Sequence, residues 1–168
     1  MEKAVDNRLA ALEQRIAALE AAARPRTDVP MLDESDPLFL LRALKERVAE
    51  PGGVAYVGSV TLPDGETTSW QFGRPTEAVL EADWAARGST LAALGHPVRL
   101  TLLREILHGR ATVSALSEVE GLGTSGQIYH HLRQLTAEGW LHSPSRGVFA
   151  VPQTRVVALL AIMVALER

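Results

Sequence analysis

The chain contains no cysteine, which excludes disulfides, thiolate zinc sites and cysteine nucleophiles in one step. A reducing cytosol permits such a composition, and a cytoplasmic location is the expectation. Aromatic residues are scarce, at 5%. No apolar run approaches the ~18 residues of a membrane span. The longest, Val156 to Leu166, has 11 residues and reads as a buried helix. The first residues, Met1-Glu2-Lys3-Ala4-Val5-Asp6, are too polar for a signal peptide, so no membrane partner is expected. Charge of one sign is also missing: 17 basic and 20 acidic side chains leave a net −3, which excludes a polyelectrolyte tail. What remains is the composition of a globular protein, with 46% hydrophobic and 22% charged residues in 168, enough for one domain or a small domain with extensions. The charge is unevenly spread. Residues 1–88 hold 10 Lys/Arg against 15 Asp/Glu, whereas residues 89–151 hold 5 against 4 and all five histidines. The two parts are expected to face different partners.

Val5, Leu9, Leu12, Ile16, Leu19 and Ala23 follow a heptad seam, with Arg8 and Arg15 at g positions and Glu13 and Glu20 at e positions. This charge pattern fits a parallel two-stranded coil over residues 1–23; an amphipathic helix packed on its own domain is the alternative. Two prolines, Pro25 and Pro30, open a linker over 24–36. Residues 37–88 then read as an extension. Pro37 begins a helix expected to run to about residue 49, stopped by Pro51-Gly52-Gly53. From Val54 the period becomes two, through Tyr56, Gly58, Val60 and Leu62. After the turn Pro63-Asp64-Gly65, a second strand carries Thr67, Thr68, Trp70 and Phe72, so a β-hairpin is predicted. A helix from Pro75 through Trp84 follows, with a break expected at Gly88-Ser89.

Residues 89–151 are the informative stretch. Pro97 starts a helix whose buried stripe is Val98, Leu102, Leu103, Ile106 and Leu107. Thr112 caps a short helix with Val113, Leu116 and Val119. Thr124 caps another, with Ile128, Leu132 and Leu135 on its inner face. Two short helices around a Gly-containing turn form the helix-turn-helix pattern. Residues 140–143, a turn at 144–147 and residues 148–151 then predict a β-hairpin. That order makes the expected fold α+β and mostly α: a winged helix-turn-helix domain with an N-terminal coiled-coil helix, an extra helix and a hairpin.

The segments Leu91-Ala92-Ala93-Leu94-Gly95-His96-Pro97-Val98-Arg99-Leu100, Thr124 to Leu135 and Glu138-Gly139-Trp140-Leu141 resemble the ArsR/SmtB family of bacterial winged-helix repressors. The resemblance covers about residues 89–166. It implies a homodimer on a near-palindromic operator, released or retained by a signal. It further implies that His131 is a buried structural residue and that His96 belongs to a helix start, both satisfied by hydrogen bonds. Metal-sensing members carry a Cys-x-Cys motif in the first helix of the pair, or Asp/His/Glu ligands on the last helix. Here those segments read Val113-Ser114-Ala115-Leu116-Ser117 and residues 152–168, whose single carboxylate side chain is Glu167. A metal site is therefore not expected, and adjacent His130 and His131 diverge by about 100° on a helix, too far to share an ion. No cofactor is expected either.

With Ile128, Leu132 and Leu135 inward, the candidate DNA-contacting set is Thr124, Ser125, Gly126, Gln127, Tyr129, His130 and Arg133, joined by Arg146 at the wing tip. Gln127 suits an adenine edge and His130 a guanine. Tyr129 and Ser125 suit bases or phosphates, Gly126 permits close backbone approach, and Arg133 and Arg146 suit phosphates. Nothing supports catalysis: there is no Gly-x-Ser-x-Gly elbow and no His-Glu-x-x-His pair. Gly121-Leu122-Gly123-Thr124-Ser125-Gly126 mimics a dinucleotide fingerprint but follows a helix, not a strand. The last helix, with Val156, Leu160 and Met163, is apolar on nearly every side, more than a small winged helix covers alone. Homodimerisation through it, and through Leu9, Leu12, Ile16 and Leu19, is the expectation. Tyr56, Trp70, Phe72 and Trp84 either fill a small extension core or form a face for a small-molecule or protein effector. The expected function is thus a homodimeric, sequence-specific, metal-independent transcriptional repressor. The alternative is an architectural or partner-binding winged-helix protein without ligand regulation.

Overall fold

The computed structural model describes residue 15 and residues 38–167. The heptad seam of residues 5–23 and the linker of 24–36 lie outside the described residues, apart from Arg15, which is helical. The chain divides into two compact units, residues 1–46 and 47–168. In the first, helix α1 (Phe39–Lys45) has no buried residue. It is shorter than the helix to residue 49 that the spacing predicts. Val48 is instead used at the base of the following hairpin, where a Cβ on Gly53 would lie 3.1 Å from Val48 Cγ1.

The second unit is α+β and mostly helical. It opens with an antiparallel hairpin, β1 (Gly53–Thr61) and β2 (Thr67–Pro75), in unbroken register from Gly53–Pro75 to Thr61–Thr67. Its turn is made locally: Asp64 Oδ1 accepts from Glu66 N at 2.9 Å, and Gly65 takes φ +84°, a region that glycine enters without strain. Side chains alternate across a strand, so Tyr56, Gly58 and Val60 share a face with their partners Phe72, Trp70 and Thr68. Val54 has the same parity but is exposed at the hairpin's far end.

After β2 come α2 (Thr76–Leu80), a 3₁₀ turn (Ala85–Arg87) and α3 (Gly88–Leu94). The sequence places the break at Gly88-Ser89, whereas Gly88 begins α3. The interruption falls earlier, where Asp83 Oδ1 accepts from Ala86 N and Trp84 Nε1 donates to Val79 O at 2.7 Å. Four helices and a second hairpin follow: α4 (Pro97–Leu107), α5 (Val113–Ser117), α6 (Ser125–Ala137), β3 (His142–Ser145), β4 (Val148–Ala150) and α7 (Gln153–Ala165). Their core contains Leu102, Leu103, Leu116, Ile128, Leu132, Leu135, Trp140, Leu141 and Val156.

The first hairpin is laid on α7. Gly58 sits under Val157, so close that a Cβ at 58 would stand 2.7 Å from Val157 Cγ1. At the turn end, Gln153 Nε2 donates to Glu66 Oε1. This corrects the expectation that only a second copy buries the apolar sides of α7, because the chain's own hairpin covers Val157. Beyond it Leu160, Ile162 and Met163 are half-buried, Val164 is exposed and Leu166, just past the helix, is 71% exposed. No helix among the described residues is long and apolar enough to cross a membrane.

Candidate nucleic-acid interface

The candidate interface is built on α6 and the short hairpin after it. Thr112 Oγ1 accepts from Ala115 N at 3.3 Å and so starts α5, which ends at Ser117. The connection to α6 turns through Gly121 and Gly123, both at positive φ. At the start of α6, Thr124 Oγ1 accepts from Gln127 N, and Gln127 Oε1 accepts in return from Thr124 N at 2.8 Å. This reciprocal box satisfies donors that the first helical turn otherwise leaves orphaned. A side chain on Gly123 would run into the Gln127 carboxamide, so the glycine serves both the turn and the box.

Ile128, Leu132 and Leu135 are 0% exposed. Their burial against α4 and α5 fixes the rotation of α6. Ser125, Gly126, Gln127, Tyr129, His130 and Arg133 are consequently exposed together on the opposite side, toward the helix N-terminus. Ser125 Oγ lies 3.3 Å from Ser117 Oγ, linking this surface to α5. Gln127 is exposed as the sequence predicts, but its Oε1 is occupied. A bidentate pairing with adenine needs that oxygen and the amide nitrogen together, so it requires the cap to open.

The hairpin is shifted relative to the predicted strands. Residues 140 and 141, expected in the first strand, are core: Trp140 is buried, donates from Nε1 to Thr90 O at 2.8 Å and lies under the Arg155 guanidinium at 4.8 Å. Pro144 and Ser145, expected in the turn, belong to β3. The tip is Arg146-Gly147, exposed, with Gly147 at φ +77°. Ser143 Oγ donates to the carbonyls of Ser145 and Val148 and braces the loop. A bridge between Thr112 and Val148, with Phe149 N donating to Ala111 O at 2.8 Å, ties the hairpin to the start of α5.

Behind the surface, Arg99 reaches from α4 to Ala92 O on α3 at 2.8 Å and to Gln134 Oε1 on α6 at 2.7 Å. Glu138, after α6, accepts from Ser89 and Thr90 of α3 at 3.0 Å each. His96 caps α4, its Nδ1 accepting from Val98 N at 3.2 Å. Its ring lies 4.7 Å from that of His131, tilted by 41°. The expectation that hydrogen bonds satisfy both histidines is met for His96 and only in part for His131, which is half-buried and whose Nδ1 has no partner among the described residues. Burial holds the His131 pKa below the usual histidine value, and the charges of His96, Arg99 and His130 lower it further, opposed by a hydrogen bond to Gln134. Sequence reasoning missed Glu105, a buried carboxylate on α4 bridged by Arg104 at 2.8 Å and Arg110 at 3.0 Å. The Arg104 hydrogen bond leads in holding its pKa below the usual glutamate value.

Three of the four aromatics expected to form an effector face lie on one side of the hairpin. Tyr56 and Phe72 pair at 6.0 Å, Trp70 shares their face, and Trp84, 63% exposed, donates from Nε1 to Val79 O. Phe72, at 47% exposure, is not core either. A cavity of about 250 Å³ lies instead between α4 and α7, lined by Leu100, Leu103, Leu107, Leu160 and Met163, with Arg104 at its margin. No group of three or more His, Asp or Glu able to hold a metal ion occurs among the described residues. Compared with known protein families, with characterised proteins and with solved structures, the chain matches none.

Proposed function

We propose that this chain is a homodimeric, sequence-specific DNA-binding regulator of the winged helix-turn-helix type, acting as a repressor and independent of metal. The observation that carries this reading is the division of α6: three fully buried apolar residues on one side, and Ser125, Gln127, Tyr129, His130 and Arg133 exposed on the other near its N-terminus. A helix that enters the major groove needs this arrangement. Arg146, exposed at the β3–β4 tip, supplies a phosphate contact. The resemblance of residues 89–166 to ArsR/SmtB repressors supports the same reading. In this proposal α5 and α6 are the helix pair, β3–β4 is the wing, and α7 joins two copies.

The engaged Gln127 carboxamide favours a second reading, in which α6 docks on DNA without reading bases. Selection of bound fragments from random-sequence DNA separates the two. Enrichment of one near-palindromic sequence is the expected result. Binding of all fragments alike supports the architectural reading, and no binding at sub-micromolar protein and low salt overturns both.

A further inference from the structure

The hydrogen-bond phase of the first hairpin shows which backbone groups it leaves unused. Leu62 N donates to Glu66 O, and Thr76 N to Gly52 O, each at 2.9 Å. Both pairs continue the strand register, one at each end. Hydrogen-bonded and non-hydrogen-bonded pairs alternate along an antiparallel ladder. Val54, Tyr56, Gly58 and Val60 therefore turn their backbone groups toward β2, and Ala55, Val57, Ser59 and Thr61 turn theirs outward. The side chains agree: Ser59 meets Ser69 at 2.8 Å and Thr61 meets Thr67 at 3.0 Å, as in non-hydrogen-bonded pairs, where side chains are closest.

Among the described residues, no backbone group of these four has a partner in the chain beyond β2. All four side chains are exposed, Val57 by 45%. Natural sheet edges are guarded by charge, proline, bulges or shortness. β1 has none of these guards: Gly-Val-Ala-Tyr-Val-Gly-Ser-Val-Thr is nine residues long, uncharged, proline-free and without a register shift. The other edge is guarded, because β2 ends in Arg74-Pro75.

We propose that the β1 edge pairs antiparallel with β1 of a second copy, joining two hairpins into one four-stranded sheet. This deepens the homodimeric part of the function proposed above and does not depend on the DNA-binding part. A strand paired antiparallel with itself is self-complementary about a two-fold axis, so it needs no other partner. With the axis at Gly58, Val57 meets the partner's Ser59 and Ala55 the partner's Thr61. The axis stands perpendicular to the sheet and leaves both copies of α7 on the same face.

The cysteine-free sequence makes the test direct. Hydrogen-bonded antiparallel partners stand about 5.5 Å apart at Cα, within disulfide range. The full chain is prepared as V57C, as S59C and as an equal mixture of the two, with S69C and Q71C on the β2 edge as controls, and oxidised at micromolar concentration. The expected result is a covalent dimer of twice 18.1 kDa in at least one β1 arm and little in the controls. All of these positions are exposed, so the substitutions leave the packing on α7 in place. A chain that is dimeric by light scattering but crosslinks at no β1 position, or equally at the β2 edge, overturns the edge pairing and leaves the homodimer standing. A monomer by light scattering overturns both.

Discussion

At position 58 a hydrogen atom is all that fits beneath Val157, a β-branched side chain with little freedom to turn away. Gly58→Ala is therefore expected to cost about 1–3 kcal/mol, the usual range for overpacking. The double variant with Val157→Ala should recover part of that loss. Urea unfolding of the two single variants and the double variant checks this, and strictly additive losses would refute the contact. His131 makes a second prediction, whose sign follows from its lowered pKa. The unfolded chain takes up a proton at this residue near pH 6.5 and the folded chain only at lower pH, so acidification favours unfolding. Stability should fall from roughly pH 7 toward the depressed folded value, and this part of the slope should vanish in His131→Leu. Glu105 acts in a lower window, its contribution complete above the ordinary 4.5 and lost as pH falls through its lowered folded value. Unfolding curves at a series of pH values separate the two windows, and an unchanged slope near neutrality in the His131 variant would remove the histidine from the account. The role of Gly58 was not legible in the sequence, since a glycine in a strand gains meaning only from what packs on it.

Helix α6 combines a cap and a candidate reading surface in Gln127, and two substitutions separate these roles. Gln127→Ala should destabilise the fold by about 0.5–2 kcal/mol, as loss of a cap does. Gln127→Glu keeps an acceptor for Thr124 N and should retain stability while weakening DNA binding through its charge. Thermal unfolding beside a binding titration checks both; equal stability of the two variants would mean that the box contributes nothing. On the second hairpin, Arg146→Ala should weaken binding to all sequences alike and lower the salt slope by roughly one unit. A sequence-dependent loss there would make Arg146 a base contact. The helix starts were legible because Thr112 and Thr124 stand just before apolar residues at helical spacing, and both cap as expected. The strand ends were not. Trp140 and Leu141 belong to the core next to Thr90 and Arg155, and an apolar pair reads the same in one dimension whether it begins a strand or plugs a core.

For the whole molecule, α7 is the element on which assembly turns. Leu160→Glu with Met163→Glu should shift the proposed dimer toward monomer without unfolding it, because both side chains are already part-exposed in the single chain. Light scattering with circular dichroism checks this, and an undisturbed dimer would move the interface away from α7. Periodicity, caps and turn residues were enough to determine that the chain is mostly helical, that it carries two hairpins, and that Ile128, Leu132 and Leu135 face inward. Each of these follows from interactions within a few residues of chain. Only tertiary structure decided that the first hairpin lies on α7, through a close approach between residues 58 and 157, far apart in sequence. It also decided that Trp70, Phe72 and Trp84 are exposed rather than core, and that among the described residues β1 pairs with β2 alone. Such features depend on which surfaces meet after the chain folds back on itself, and local spacing carries no record of that.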